Sequence, residues 1–237
     1  MSKFIRPKKV AILQSNYIPW KGYFDLIAFV DEFILYDDMQ YTRRDWRNRN
    51  LIKTPTGLQW LTVPVKVKGK FLQKIRDTEI DGKNWIQSHW GSLEKNYRRT
   101  PHYDEITTLI KPIFFSQNHQ FLSELNRSFI KTICKYLRIS TLISDSFDYT
   151  FVDDKSERLV NICLQAKASV YVSGPSAKNY IDKNVFSEQG VDLTWFDYSN
   201  YPEHPQLWDH FAHGVSILDL LFICGRRSSS YMKFTKS

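Results

Sequence analysis

Residues 9–14 (KVAILQ) and 33–36 (FILY) are short apolar runs, and between them Trp20, Tyr23, Phe24, Ile27, Phe29 and Val30 recur at helical spacing. Each run is bounded by charged or polar residues, as a buried strand would be. Strand, helix and strand within about thirty residues is the size of one crossover unit. The short link from helix to second strand favours parallel pairing and a right-handed connection. No other feature narrows the fold as much: residues 9–14 and 33–36 are expected as neighbouring parallel strands of an α/β protein.

The rest of the chain extends this pattern. Residues 58–67 (LQWLTVPVKV) alternate and follow a turn at Pro55 and Gly57, so they read as a strand that Pro64 confines to an edge, an end or a bulge. Helical spacing over 85–97, 103–115 and 119–137 predicts a helical insert. A helix over 153–167 opens with Asp154 and Glu157 in a capping pattern. Strands at 169–172 and 193–196, a short helix at 176–184 and an apolar helix at 215–224 complete a mostly parallel sheet with alternating helices. We expect one α/β domain over residues 1–225, with its helical insert around 85–137, and a frayed tail over 226–237.

Composition limits the function classes. Seven Trp, thirteen Tyr and sixteen Phe in 237 residues supply enough apolar surface for a packed core and exclude general disorder. No apolar run reaches the ~18 residues of a membrane helix, and the first residues do not read as a signal peptide. Three dispersed cysteines (Cys134, Cys163, Cys224) suit a reducing compartment, so a cytoplasmic location is expected. The net charge of +8, from 33 basic and 25 acidic residues, suits an anionic partner: nucleic acid, a nucleotide or nucleotide-sugar, or a membrane surface. The six histidines show no metal-ligand spacing, and none is expected to hold a metal.

The densest chemistry sits in the loop after the first strand, where ligands of open α/β sheets bind. Gln14 and Asn16 place amides there without a packing reason, followed by Tyr17, Pro19, Trp20, Gly22 and Tyr23. Asp37 and Asp38 end the second strand. Paired carboxylates can split into acid and base or hold a divalent cation, and neighbouring strand residues point to opposite faces, so one of the two is expected to face a site. Gln40 leads to residues 43–50, with four arginines, Trp46 and two asparagines; Arg47 and Arg49 offer guanidinium forks matched to phosphate. In the second half, Ser173, Gly174, Ser176, Lys178 and Tyr180 follow a strand in a Gly/Ser turn that can cradle phosphate on backbone N–H groups.

The run from Gln14 through Asn16, Tyr17, Pro19, Trp20, Gly22, Tyr23 and Phe24 strongly resembles the start of the WbqC-like family, with Ser15 in place of the usual proline. The likeness continues through Asp37, Asp38 and Gln40, through Arg47, Asn48 and Arg49, through residues 59–65, and through 173–180 and 216–222. It implies an enzyme of bacterial surface-polysaccharide (O-antigen) synthesis, with transfer of glycine or another small acyl group to an amino sugar on a nucleotide carrier. Within it, Asp37 or Asp38 is the expected base, with Gln14 and Asn16 as oxyanion or substrate contacts. Tyr17, Trp20, Gly22, Tyr23, Gln40, Arg47, Asn48, Arg49, Ser173, Gly174, Ser176, Lys178 and Tyr180 are the expected substrate-binding residues. The donor is an adenylate made with ATP and magnesium, an aminoacyl-tRNA or a carrier thioester.

A more distant likeness is to Rossmann-like, nucleotidyltransferase-type folds such as pantothenate synthetase and class I aminoacyl-tRNA synthetases. Trp20-Lys21-Gly22-Tyr23 stands where they carry His-x-Gly-His, and both histidines are replaced. Two alternatives therefore accompany the acyl-transfer expectation: nucleotidyl transfer, and a non-catalytic basic module that binds nucleic acid.

Overall fold

A computed structural model describes residues 6–116, 118–208 and 210–235. In chain order the elements begin with β1 (Lys9–Leu13), α1 (Lys21–Phe29), β2 (Glu32–Leu35), β3 (Arg49–Thr54) and β4 (Gly57–Thr62). Helices α2 (Asn84–Tyr97), α3 (Tyr103–Phe114) and α4 (Leu122–Tyr136) follow, then β5 (Leu142–Asp145) and α5 (Lys155–Gln165). The chain closes with β6 (Val170–Ser173), α6 (Lys183–Glu188), β7 (Asp192–Trp195) and α7 (Ile217–Cys224).

Five strands form one sheet in the order β5-β2-β1-β6-β7, every neighbouring pair parallel. β1 and β2 lie side by side as the crossover unit requires, with Val10 opposite Glu32 and Leu13 opposite Leu35. Both faces of the sheet are covered, which parallel strands need. Alternation along β1 divides them: Ala11 joins a core with α1, α2, α3, α4 and α7, while Val10 and Ile12 join another with α5 and α6. No helix among the described residues is long and apolar enough to cross a membrane.

Three expectations change, and β3 is a strand that the apolar pattern did not contain. The run read as a strand over 58–67 pairs only as far as Thr62, antiparallel to β3 in a separate two-stranded sheet. Pro64, which has no N–H to give a ladder, lies beyond its end. The first residues of β3 carry Arg49 and Asn50, and polar residues at a strand's start hid it from an apolar-pattern reading. The expected helix at 176–184 is a 3-10 turn (Pro175–Asn179) followed by α6, whose N-cap is Asp182. The tail expected to fray over 226–237 is docked as far as residue 234, its last two residues lying outside those described: Gly225–Tyr231 is a 3-10 segment, and the N–H groups of Lys233 and Phe234 donate to the buried Asp25 carboxylate.

Candidate functional site at the carboxyl edge of the sheet

The strand order changes direction between β1 and β6, so the connections leaving their carboxyl ends diverge to opposite sides and open a crevice. Gln14 and Ser173 meet there, in a cavity of about 230 Å³ with an apolar floor that includes Ile12, Leu26 and Val172. Its rim is polar: Gly174, Ser176, Tyr180, Tyr36, and Lys155 and Arg158 from the first turns of α5.

Beside the crevice two loops are stitched into one unit. Tyr17 N–H donates to Trp46 O at 2.9 Å, and the Asn50 amide donates to Tyr17 O and Ile18 O at 3.1 and 2.9 Å. This grip holds Ile18 at φ 41°, a left-handed conformation that costs a β-branched residue on the order of 1–3 kcal/mol. Arg47 then reaches across the seam. Its guanidinium donates to Asn16 Oδ1 at 3.0 Å and to Gln14 Oε1 at 3.1 Å. From α4 the fully buried Asn126 donates to Ser15 Oγ (3.1 Å) and Arg47 O (2.9 Å), fixing both loops against the helical segment. Nothing in the sequence marked Asn126; a polar residue on an amphipathic helix gives no local sign that it faces inward.

The two carboxylates have different tasks. Asp37 accepts from Ser15 N–H at 2.8 Å and is buried, and that burial pushes its pKa up to about 6 against the pull of the Ser15 hydrogen bonds. Arg47 is close enough to lower it somewhat. Asp38 is held by Lys74 (3.0 Å), Arg76 (2.9 Å) and Ser146 Oγ (2.8 Å), which uses its oxygens for structure. The two neighbouring carboxylates thus bond different parts of the molecule, Asp37 the loop after β1 and Asp38 the Lys74–Arg76 segment.

Gln14, Asn16 and Arg47 thus converge by direct hydrogen bonds, Asp37 joins them through Ser15, and Ser173, Gly174, Ser176 and Tyr180 line the adjoining crevice. The family model for the WbqC-like protein family matches residues 14–231, which take in this whole cluster. The chain belongs to the WbqC-like family. It is 58% identical over 229 residues to uncharacterized protein Rv1507c of Mycobacterium tuberculosis (strain ATCC 25618 / H37Rv), across 97% of this chain and 99% of that protein. No solved structure matches the chain.

Other residues of the WbqC-like pattern have structural tasks here. Tyr17 is fully buried and its hydroxyl bonds His89 Nδ1 at 2.8 Å; burial lowers the His89 pKa to about 4, so the neutral ring accepts from Tyr17 and donates to Thr62 O. Tyr23 is buried and donates to Gln14 O at 3.0 Å, positioning the loop from behind. Gly22 leaves room for the Trp20 indole, since a Cβ there would lie 2.3 Å from Trp20 Cζ2. The expected close approach is therefore that of a protein ring. Asn48 donates to Val63 O and Gln40 to Phe71 O, both joining loops. Arg49 lies over the Trp60 ring at 4.0 Å and donates to Arg44 O, and Lys178 lies over Trp195 at 5.7 Å. Neither cation bonds the Gln14–Arg47–Asn16 cluster; Arg49 is held instead by Trp60 and Arg44 O.

Proposed function

We propose that this protein is a group-transfer enzyme of bacterial surface-polysaccharide synthesis, joining glycine or another small acyl group to the amine of a nucleotide-linked sugar. The observation that carries the reading is Arg47, oriented by Gln14 and Asn16 at the point where the sheet's strand order reverses, with Asp37 close by. That strand order supports a Rossmann-like core, in which a nucleotide lies across the reversal point. Arg47 takes the diphosphate, and Ser173, Gly174 and Ser176 line the space for the nucleoside. The amine nitrogen attacks the acyl carbonyl, a C–N bond forms as the bond to the donor's leaving group breaks, and the amine proton passes to Asp37. A carboxylate whose pKa is about 6 is ionised at neutral pH yet basic enough to take that proton.

Adenylate formation in place would bring ATP with magnesium, and the described residues fit this poorly. Asp38 is taken by Lys74 and Arg76 and Asp145 by Arg127, so neither is free to join Asp37 in holding the ion. Trp20 and Tyr23, at the positions of the two missing histidines, are an indole packed between Tyr198 and Tyr201 and a buried phenol. An acyl group activated elsewhere, as an aminoacyl-tRNA or a thioester, suits the residues better.

A thermal-shift series with nucleotides, nucleotide-sugars and glycine tests the binding half. A ligand present at a hundred times its Kd stabilises the native state by about 2.7 kcal/mol. Nucleotide-sugar should raise the melting temperature, and mass spectrometry should then find an acylated sugar when a thioester or aminoacyl-tRNA donor is added. Pyrophosphate release from a nucleoside triphosphate without any acyl donor would point instead to nucleotidyl transfer. A shift with random RNA alone would point to a basic binding module.

A further inference from the structure

A second cavity, of about 270 Å³, adjoins the cluster on the side away from the crevice and is lined by Asn16, Pro19, Trp20, Trp46, Asn50, His213 and Gly214. We propose that it is a saccharide subsite, in which the pyranose ring of the nucleotide-linked sugar packs against Trp20 and Trp46 while Asn16 and His213 bind its hydroxyl or amino substituents. This deepens the proposed function and rests on it for the nucleotide end of the ligand.

The wall of this cavity is built for a neutral, six-membered, polyhydroxylated ring. None of its lining residues is charged, which disfavours a phosphate. Its volume exceeds that of the ~150 Å³ cavities that accept a benzene ring, leaving room for hydroxyl groups. The C–H face of a pyranose packs on indole as other apolar surface does, and its oxygens need donors and acceptors at the rim. Both are present. The Trp20 indole is fixed in advance, packed at an angle on Tyr198 and edge-on to Tyr201 at 5.5 Å each and seated on Gly22. Trp46 packs on Trp60 at 5.4 Å. Asn16 gives its oxygen to Arg47 and keeps an amide donor, while the His213 ring nitrogens have no hydrogen-bond partner among the described residues. Burial also lowers the His213 pKa, which favours a neutral ring able to accept a proton or a hydrogen bond.

Position decides between a sugar and a base. Arg47 bonds Gln14, which lines the crevice, and Asn16, which lines this cavity. A diphosphate on Arg47 therefore has nucleoside space on one side and the two tryptophans on the other, matching the order of parts in a nucleotide-sugar.

Isothermal titration with uridine diphosphate (UDP), UDP-glucosamine and free glucosamine tests the assignment. The wild type should bind UDP-glucosamine at least about tenfold more tightly than UDP. Trp46→Ala should abolish that difference and leave the UDP affinity intact, Trp46→Phe should restore part of it, and His213→Ala should reduce it severalfold. Trp46 is 42% exposed, so its loss does not empty the core. Equal affinities for UDP and UDP-glucosamine would overturn the subsite and leave nucleotide binding standing. Loss of UDP affinity itself in Trp46→Ala would overturn it by placing the base there, and so would a UDP-glucosamine preference unaffected by Trp46→Ala. Trp46-dependent binding of free glucosamine without any UDP binding would support the subsite while removing the nucleotide reading. Failure of both sugar probes to bind would overturn it.

Discussion

Both edges of the parallel sheet carry an arginine beside a hollow, and they are built differently. At the amino edge a cavity of about 370 Å³ lies among Arg6, Lys9, Asp31 and Arg138. Arg6 there is 76% exposed and is neutralised by Asp31. At the carboxyl edge the smaller cavity has Arg47 beside it, 16% exposed, with its guanidinium held by two amide oxygens and its backbone by Asn126. The amino edge has the larger volume and as much formal charge; the carboxyl edge has orientation. A guanidinium fixed by neutral acceptors keeps its charge for a ligand, and its ordering cost is met before the ligand arrives. Asp45, at 3.6 Å, is the one carboxylate that approaches it as an ion pair among the described residues.

Four substitutions should separate the two edges. The largest effect is expected on turnover from Asp37→Asn, on the order of 100-fold or more with nucleotide-sugar affinity nearly unchanged, as removal of a positioned base requires. Steady-state kinetics with the acyl donor measures it, and a normal rate would remove the base assignment. Arg47→Lys should weaken nucleotide-sugar binding roughly ten- to a hundredfold, because an ammonium cannot span Gln14, Asn16 and a phosphate together. Calorimetric titration measures this, and an unchanged Kd would break the comparison at its centre.

Asp38→Asn should cost stability instead. Lys74 and Arg76 are 42% and 36% exposed and can turn to water when Asp38 loses its charge, so the screened loss is about 1–2 kcal/mol in urea unfolding, with kinetics unaffected. The smallest effect belongs to Arg6→Lys, which should leave ligand binding unaltered by the same titration.

Asp37 also gives the comparison a pH signature. Its folded pKa, about 6, lies above that of an ordinary carboxylate, so folding strengthens proton binding. The corresponding stability is fully present below about pH 4 and is lost as pH rises through 6, a change on the order of 2–3 kcal/mol. The Asp37→Asn variant carries no such proton. The difference in unfolding free energy between the wild type and Asp37→Asn should therefore change by that amount between about pH 4 and 7 and then level off. A constant difference would mean that Asp37 ionises as freely in the native state as in the unfolded chain.

The crossover unit was legible because β1, α1 and β2 depend on local apolar runs with polar boundaries. β3 and β5 were not read: β3 starts with Arg49 and Asn50, and β5 spans four residues with Ser144 and Asp145 in half of them. Such strands are chosen by their neighbours in the sheet, which no window of sequence contains. The same division runs through the site. Gln14, Asn16 and Asp37 could be placed because they follow legible strands, whereas Arg47 and Arg49 looked equivalent in sequence. The Trp60 ring, across the β3–β4 pair, takes Arg49 out of the cluster. Tyr17, Gly22 and Asn48 shape the site by packing and loop bonding, so residue type alone could not separate their work from that of ligand contacts.

Hydrogen–deuterium exchange of the full chain with and without saturating nucleotide-sugar tests most directly the claim that the carboxyl edge is the binding edge. The account predicts slowed exchange in the backbone of residues 14–18, 45–50 and 173–177, where two loops hold Arg47 and the Gly/Ser turn lines the adjoining crevice, with no change around Lys9, Asp31 and Arg138. Protection confined to the Lys9, Asp31 and Arg138 edge, or the same exchange with and without ligand at both edges, would contradict it.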